Sequence, residues 1–324
     1  MAKQITRRLI SVFATLFLST ILIFVLIRIS PGDPVKMFLG SPADMPLINT
    51  SAYEERVSEL RTELGLDQSF SVQYMNWLKR LVRFDMGTSL YTKQPVGQEI
   101  AQRIPATLML SCCALLIQLF LGLVFGIISA VKAGKAPDGI IRFVCVFFAS
   151  LPGFVLGLSL LSLFAVTYHV YEISNSAAIS RLWLPAVTLG LIGAPQLTRM
   201  VRASMLSELG QPYVISALAR GLRRSEVILG AFRNALIPIA TMITHTFATL
   251  MGGSVIIESV FTWPGIGEYA LTSVLRQDYP VIQAYAVVTV SIVIMINLLS
   301  DLLYALLDPQ IYRKGAAISE KNSN

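Results

Sequence analysis

Six stretches of this chain run without a single Asp, Glu, Lys or Arg: Ile10–Ile27, Leu108–Val131, Phe143–Val170, Leu182–Thr198, Asn234–Ile257 and Val281–Ser300. A helix needs about 20 predominantly apolar residues to cross a bilayer, and it satisfies its own backbone hydrogen bonds while doing so. The six runs therefore predict six spanning helices and an all-α polytopic membrane protein. Leu182–Thr198 is short and holds Pro185 and Pro195; Phe143–Val170 is long, and Pro152-Gly153 inside it predicts a kink or a tilt.

Composition supports this. Only 14% of the 324 residues are charged and 54% are hydrophobic, whereas soluble domains carry about 25% charged residues. The net charge of +7 does not point to nucleic acid. The basic residues sit in the gaps between apolar runs, with no aromatic interleaving, which is a topology signature, so no nucleic-acid partner is expected. One set of short segments carries Lys3, Arg7 and Arg8; Lys132, Lys135 and Arg142; Arg199, Arg202, Arg220, Arg223, Arg224 and Arg233; and Arg313, Lys314 and Lys321. The two short segments on the other side carry only Arg181 and Arg276. That asymmetry places both termini in the cytoplasm. The first apolar run exceeds a signal-peptide core and lacks a small-x-small cleavage site after it, so it reads as an uncleaved helix. Cys112, Cys113 and Cys145 lie inside apolar runs and read as small buried hydrophobes.

The expected organisation is an N-terminal start and first span over 1–29, an outside segment over 30–107, a five-helix core over 108–308 and a cytoplasmic tail over 309–324. Within the outside segment, Ala52–Leu64 has helical spacing of Val57, Leu60 and Leu64 before Gly65, and Phe70–Phe84 sets Tyr74, Trp77, Leu78 and Leu81 on one side.

The longest polar interval in the second half is Ser204–Pro238, which holds Arg220, Arg223, Arg224 and Arg233 among the small residues Ala217, Ala219 and Gly221. On a continuous helix Ala217 and Gly221, four apart, share a face and leave a shallow surface for close approach. The interval resembles the "EAA" loop of membrane permeases in bacterial ABC importers: Ala217, Gly221 and Leu236-Ile237-Pro238 match its core, and Ser216 stands where the leading Glu usually is. Other segments extend the likeness in order and spacing. They are Pro31-Gly32-Asp33-Pro34, Leu64-Gly65-Leu66-Asp67-Gln68, Phe84-Asp85-Met86-Gly87-Thr88-Ser89 before Pro95-Val96, Phe261-Thr262-Trp263-Pro264-Gly265-Ile266-Gly267, Asp278-Tyr279-Pro280 and Asp308-Pro309. Together they are similar to the dipeptide, oligopeptide and nickel permease branch over nearly the whole chain. Ser69 and Met86 are small departures, where the family usually has Pro and often has Leu.

The resemblance implies a type I importer permease (MetI-like) core plus an N-terminal helix and a small outside domain, in the bacterial inner membrane. It implies pairing with a second homologous permease, two ABC ATPase subunits and an extracytoplasmic solute-binding protein. The ATP would be used by the partner subunits, and this chain would bind no cofactor. Ala217, Ala219, Arg220, Gly221, Arg223 and Arg224 are the implied ATPase-coupling residues; for the arginines, positive-inside topology is an equal reading. Trp263, Gly265 and Gly267 make a rigid turn expected to shape the outer mouth, with an indole suited to the membrane interface. His245 lies about two turns into the fifth run, where an ionisable residue is a candidate for solute contact. Glu258, at the outer end of that run, is expected at the interface. No metal ligand set is expected, because no second His, Cys pair or carboxylate lies at ligand spacing. The chain has no G-x-x-x-x-G-K-[ST], H-E-x-x-H or G-x-S-x-G, which disfavours a P-loop ATPase, a zinc protease and a serine hydrolase. The solute that the resemblance implies is a short peptide, nickel or a chelated metal. The alternative classes are a channel and an intramembrane enzyme.

Overall fold

A computed structural model of the chain describes residues 2–29, 35, 39, 50–63 and 65–307. Among these, all regular structure is helical, with one isolated bridge between Thr88 and Pro95. The helices are α1 (Ala2–Ile29), α2 (Thr50–Glu63), α3 (Phe70–Val82), α4 (Val96–Val131), α5 (Ala136–Ser150), α6 (Gly153–Leu161), α7 (Ile179–Leu209), α8 (Pro212–Ala219), α9 (Arg224–Gly253), α10 (Val255–Val260), α11 (Ile266–Leu275) and α12 (Tyr279–Leu307). The tail over 309–324 and the Pro31–Pro34 and Asp308-Pro309 motifs lie outside the described residues.

Among the described residues, three segments are long and apolar enough to cross a membrane: Ile10–Ile29, Val96–Val131 and Tyr279–Ser300. Two further pairs qualify together but are broken, α5 with Gly153–Thr167 at 94° and the two halves of α9, Arg224–Leu236 and Pro238–Gly252, at 49°. The expected kink at Pro152-Gly153 is thus a near right angle. Leu151 precedes the proline and takes an extended conformation (ψ 127°), as steric contact with the proline ring demands, so α5 cannot continue. The fourth apolar run behaves differently from the others. It lies within α7, which is not among those segments, yet 14 residues of α7 are buried, from Arg181 to Met205. A helix wrapped by other helices needs complementary shape rather than a lipid-compatible surface, so Gly, Pro and Thr accumulate where Leu and Ile otherwise would.

The described residues fall into two compact units. One comprises those within 1–105 and 264–292, the other those within 106–263 and 293–307. In the first, Val96 and Ile100 pack with Ile266, Tyr269, Val281 and Ala284. Two of the sequence motifs meet here. Ser89 Oγ donates to Asp278 Oδ2 at 2.6 Å, the Leu90 amide donates to Asp278 Oδ1 at 3.2 Å, and Val96 N donates to Gly87 O at 3.0 Å. Tyr269 donates to Glu99 Oε2 beneath the Arg103 guanidinium, 4.2 Å from the ring centre. Burial and the neighbouring Glu99 carboxylate push the Tyr269 phenol well above its ordinary value. A smaller core of Val35, Tyr53 and Val57 supports α2. α3 packs on α1 through Phe24, Tyr74 and Trp77, with the Thr20 and Tyr74 hydroxyls 3.0 Å apart.

In the second unit α7 is central, and it packs against α4 along a seam without slack. A Cβ on Gly122 would lie 2.6 Å from Leu197, and one on Gly126 would lie 2.6 Å from Val201; in return, Ile117 and Gln118 of α4 occupy the space over Gly190 and Gly193 of α7. Small residues at this spacing let two helix backbones approach where lipid offers no hydrophobic drive to association. At one end of the seam the Asp138 carboxylate is nearly fully buried. It accepts from Arg202 Nε (2.8 Å), Arg202 Nη2 (2.9 Å), the Ser129 hydroxyl and the Gly134 amide (3.0 Å). This joins the end of α4, the following turn, α5 and α7.

Towards the other end, polar groups that sequence position alone suggested were peripheral are buried. Glu258 is inside the protein rather than at the interface, its Oε1 accepting from Thr107 Oγ1 and Ser254 Oγ, each at 2.8 Å. Arg181 is also buried and donates to the carbonyls of Glu172, Ser176 and Phe261 at 2.7–3.0 Å. Three carbonyls satisfy a guanidinium whose charge would otherwise be costly to desolvate. Among the cysteines, Cys145 is buried, Cys113 half-buried and Cys112 exposed.

Candidate functional site

The Ser204–Pro238 interval folds as the end of α7, the short helix α8 and the start of α9. Pro212 begins α8, where a missing amide costs nothing. The inner side of α8 packs Val214 and Ala217 against Val227. Its other side leaves Ile215 70% exposed, Leu218 48% and Leu222, just beyond the helix, 41%.

Gly221 ends the helix. Its φ of +83° is left-handed, Leu222 N donates to Ala217 O (3.2 Å) and Gly221 N to Leu218 O (3.0 Å). That pair of bonds is a Schellman closure, which favours glycine at this position. Ala217 and Gly221 therefore do not share a helix face. Ala217 is buried inside the loop, Gly221 lies past the helix end with open space where a Cβ would be, and the small-residue notch expected from spacing is not formed. The need for glycine is conformational. Gly221→Asn, which tolerates a left-handed backbone, should retain uptake, whereas Gly221→Val should lose most of it through about 1–3 kcal/mol of local strain. Equal uptake by the two variants would contradict this account.

Ala219 closes α8, and Arg220 caps it, with its side chain exposed. Arg223 N donates to Glu226 Oε2 at 2.9 Å and opens α9, whose first residue is Arg224; both side chains are exposed. The base of the loop is tied by Glu208, which accepts from Tyr213 (3.0 Å) and Asn234 (3.3 Å). Burial and that carboxylate raise the Tyr213 phenol above its ordinary value. The loop thus exposes the aliphatic side chains Ile215, Leu218 and Leu222 together with Arg220, Arg223 and Arg224, which are close to them in sequence.

His245 lies farther along α9, about 30 Å of helix from Arg224. Its side chain is exposed, not buried as the apolar run suggests, and with Thr241 and Thr249 it forms an exposed polar stripe at four-residue spacing. The Thr249 hydroxyl is turned to the His245 carbonyl at 3.0 Å. No group of three or more His, Cys, Asp or Glu side chains able to hold a metal occurs among the described residues.

Trp263 is fully buried, and its indole N–H donates to Ala106 O at 2.9 Å, so the ring fills a core rather than meeting the membrane interface. Gly265, in extended conformation, caps α11, and Gly267 is buried in its first turn. The structure does not bring the arginines of the loop together with His245. It also adds the buried Asp138, Arg181 and Glu258, and the half-buried Arg202, as polar joints. Gly122 and Gly126, four apart in an apolar run, were the one readable sign of the seam.

Residues 122–313 match the family of binding-protein-dependent transport system inner membrane components, and residues 1–111 match the N-terminal part of such components. The chain belongs to this family. It is 36% identical over 315 residues to the glutathione transport system permease protein GsiC of Pectobacterium atrosepticum, covering 97% of this chain and all of that protein. The Escherichia coli K12 protein of the same name is 35% identical over the same span. In fold, the chain is similar to the inward-facing MetNI methionine ABC transporter, with a TM-score of 0.56 at 18% identity, covering 66% of this chain and 99% of that one. An amino acid ABC transporter crystallised with histidines gives a TM-score of 0.51, covering 64% and 92%. The protein is a membrane-spanning permease subunit of an ABC importer, multi-pass in the inner membrane. It works with ATPase and solute-binding-protein partners, and its relatives are transport subunits, not enzymes.

Proposed function

We propose that this permease forms half of a transmembrane path for short peptides of about the size of glutathione, paired with a second homologous permease above two ATPase subunits. The observation that carries the coupling part is the surface of α8. Ile215, Leu218 and Leu222 are exposed, and Arg220, Arg223 and Arg224, close to them in sequence, are exposed as well. An apolar centre with a charged rim is the make-up of a protein-docking surface. ATP, bound and hydrolysed by the partners, closes the ATPase dimer, and the loop transmits that motion so that the path opens alternately to either side. The basic short loops support cytoplasmic termini and a cytoplasmic position for α8. The Thr241–His245–Thr249 stripe supports a second permease. An ionisable residue exposed on a spanning helix faces protein or water in preference to lipid. The 35–36% identity to glutathione permeases supports a peptide solute.

The test is uptake in cells lacking this gene. Labelled glutathione, di- and oligopeptides are compared with labelled nickel, with and without chelators. Loss of peptide or glutathione uptake, restored by the gene, is the expected result. Loss of nickel uptake alone would overturn the peptide assignment.

A further inference from the structure

In the unit formed by residues within 1–105 and 264–292, a cavity of about 560 Å³ opens between α1, α3 and the start of α12. Its polar lining includes Arg28, Gln73, Lys79, Arg80, Tyr279 and Gln283, and its apolar wall includes Phe24 and Trp77. None of the described lining residues is acidic. Two described carboxylates next to lining residues are already engaged: Asp67 accepts from the Thr62 hydroxyl at 2.6 Å, and Asp278 accepts from the Ser89 hydroxyl at 2.6 Å and the Leu90 amide at 3.2 Å. Three cations without a lining carboxylate select for an anion.

Two lining residues carry a buried polar atom that has no partner, Arg28 Nε and Gln73 Oε1. The orientation of the Gln73 amide is set. Its Nε2 donates to both Leu66 O (3.1 Å) and Gln68 O (2.7 Å), so the oxygen cannot exchange places with the nitrogen without facing two carbonyls. The cavity therefore combines an unmet donor with an unmet acceptor, a state that is destabilising until a ligand supplies both complements.

Position indicates where such a ligand comes from. Phe24 and Arg28 are in the last two turns of α1, whose apolar stretch Ile10–Ile29 is only 11% buried and so faces outward along its length. Tyr279 opens α12, another apolar span. The cavity thus lies where two hydrocarbon-crossing segments end, at the depth of phospholipid headgroups. α3 has the build of a helix lying in that layer, with Phe70, Met75 and Val82 exposed and Lys79 and Arg80 in its last turn.

We propose that this cavity is a binding site for a phospholipid headgroup that carries a phosphodiester together with a hydrogen-bond donor, the phosphate meeting Arg28 with Lys79 and Arg80, and the headgroup hydroxyl or ammonium meeting Gln73. The acyl chains run along the exposed side of α1. The site joins α1 and α3 to the membrane.

The test uses the assembled transporter, delipidated in detergent and titrated with phosphatidylglycerol, phosphatidylethanolamine or phosphatidylcholine, with bound lipid counted by native mass spectrometry. The first two lipids should be retained about tenfold better than phosphatidylcholine, whose headgroup has no donor. Arg28→Gln and the exposed pair Lys79→Gln/Arg80→Gln should each lower retention about tenfold, with Arg28→Lys remaining close to wild type. The exposed pair does not disturb packing, so it stands as the test if Arg28→Gln fails to assemble. Equal retention by wild type and the exposed pair, or equal retention of phosphatidylcholine, would overturn the proposal. Competition by soluble glycerophosphoglycerol as effective as by the lipid would overturn the assignment to lipid in favour of a free phosphodiester.

Discussion

Ile215→Glu is expected to leave the permease in the membrane at its normal level while reducing uptake and solute-stimulated ATP hydrolysis about a hundredfold. The side chain is 70% exposed and belongs to no core cluster, so the substitution costs the isolated subunit little. In the assembled importer the same position lies at the centre of the α8 surface, where an unpaired carboxylate would be desolvated. The penalty for such a buried, unmatched charge is about 3–5 kcal/mol, enough to weaken docking by two orders of magnitude or more. The arginines at 220, 223 and 224 are on the rim and remain hydrated, so neutralising one of them should cost less. Co-purification of the ATPase with the variant separates docking from later steps. An Ile215→Glu transporter that retains its ATPase and transports normally would remove α8 from the contact.

The second large effect belongs to the α4–α7 seam. Gly122→Leu should reduce the amount of folded protein recovered from membranes several-fold, because a Cβ there meets the Cβ, Cγ and Cδ2 atoms of Leu197 at 2.6–2.8 Å. No rotamer of Leu197 clears its own Cβ, so the helices must separate. Overpacking of this kind costs about 1–3 kcal/mol, or more when the backbone must shift. Gly139→Leu provides the control, since nothing lies within 4 Å of a Cβ there. Leu197→Ala in the Gly122→Leu background should recover part of the loss, as the two sites are in direct contact. Fluorescence-detected size-exclusion of detergent extracts reads all three. Full recovery of the single Gly122→Leu variant would mean that the seam is looser than described.

Lipid-facing helices announce themselves by what they lack, and α1, α4 and α12 were each legible as charge-free runs. The helix at the centre of the second unit was least legible as a span, because its neighbours are protein and its residues are chosen for fit. Pro152 correctly marked a break, but proline fixes only its own φ and the residue before it. The 94° turn depends on the packing of α6 against α7 and α10, which no local pattern encodes. Glu258 and Arg181 look peripheral by sequence position because each lies beside a loop; their burial depends on Thr107, Ser254 and the Phe261 carbonyl, all distant or unremarkable in sequence. Within the Ser204–Pro238 interval, the reason for the glycine at 221 was not readable. Spacing placed Gly221 beside Ala217 on a helix, whereas the helix ends first and the glycine supplies a left-handed turn. An Ala-x-x-x-Gly pattern cannot distinguish those cases until the chain's direction after the glycine is known.

The break before Pro238 divides α9 into a half that carries the docking loop and a half that carries the Thr241–His245–Thr249 stripe, set at 49° to each other. Proline removes one backbone hydrogen bond there, leaving the point of lowest bending stiffness between the two. A shaft with a single soft joint does not pass a push straight through. A displacement of a few ångströms at the α8 end becomes mainly a change of angle at the joint. On the proposed coupling, the lever arm beyond it would sweep the stripe sideways, so that a linear stroke by the ATPase would be geared into rotation of the far half of α9.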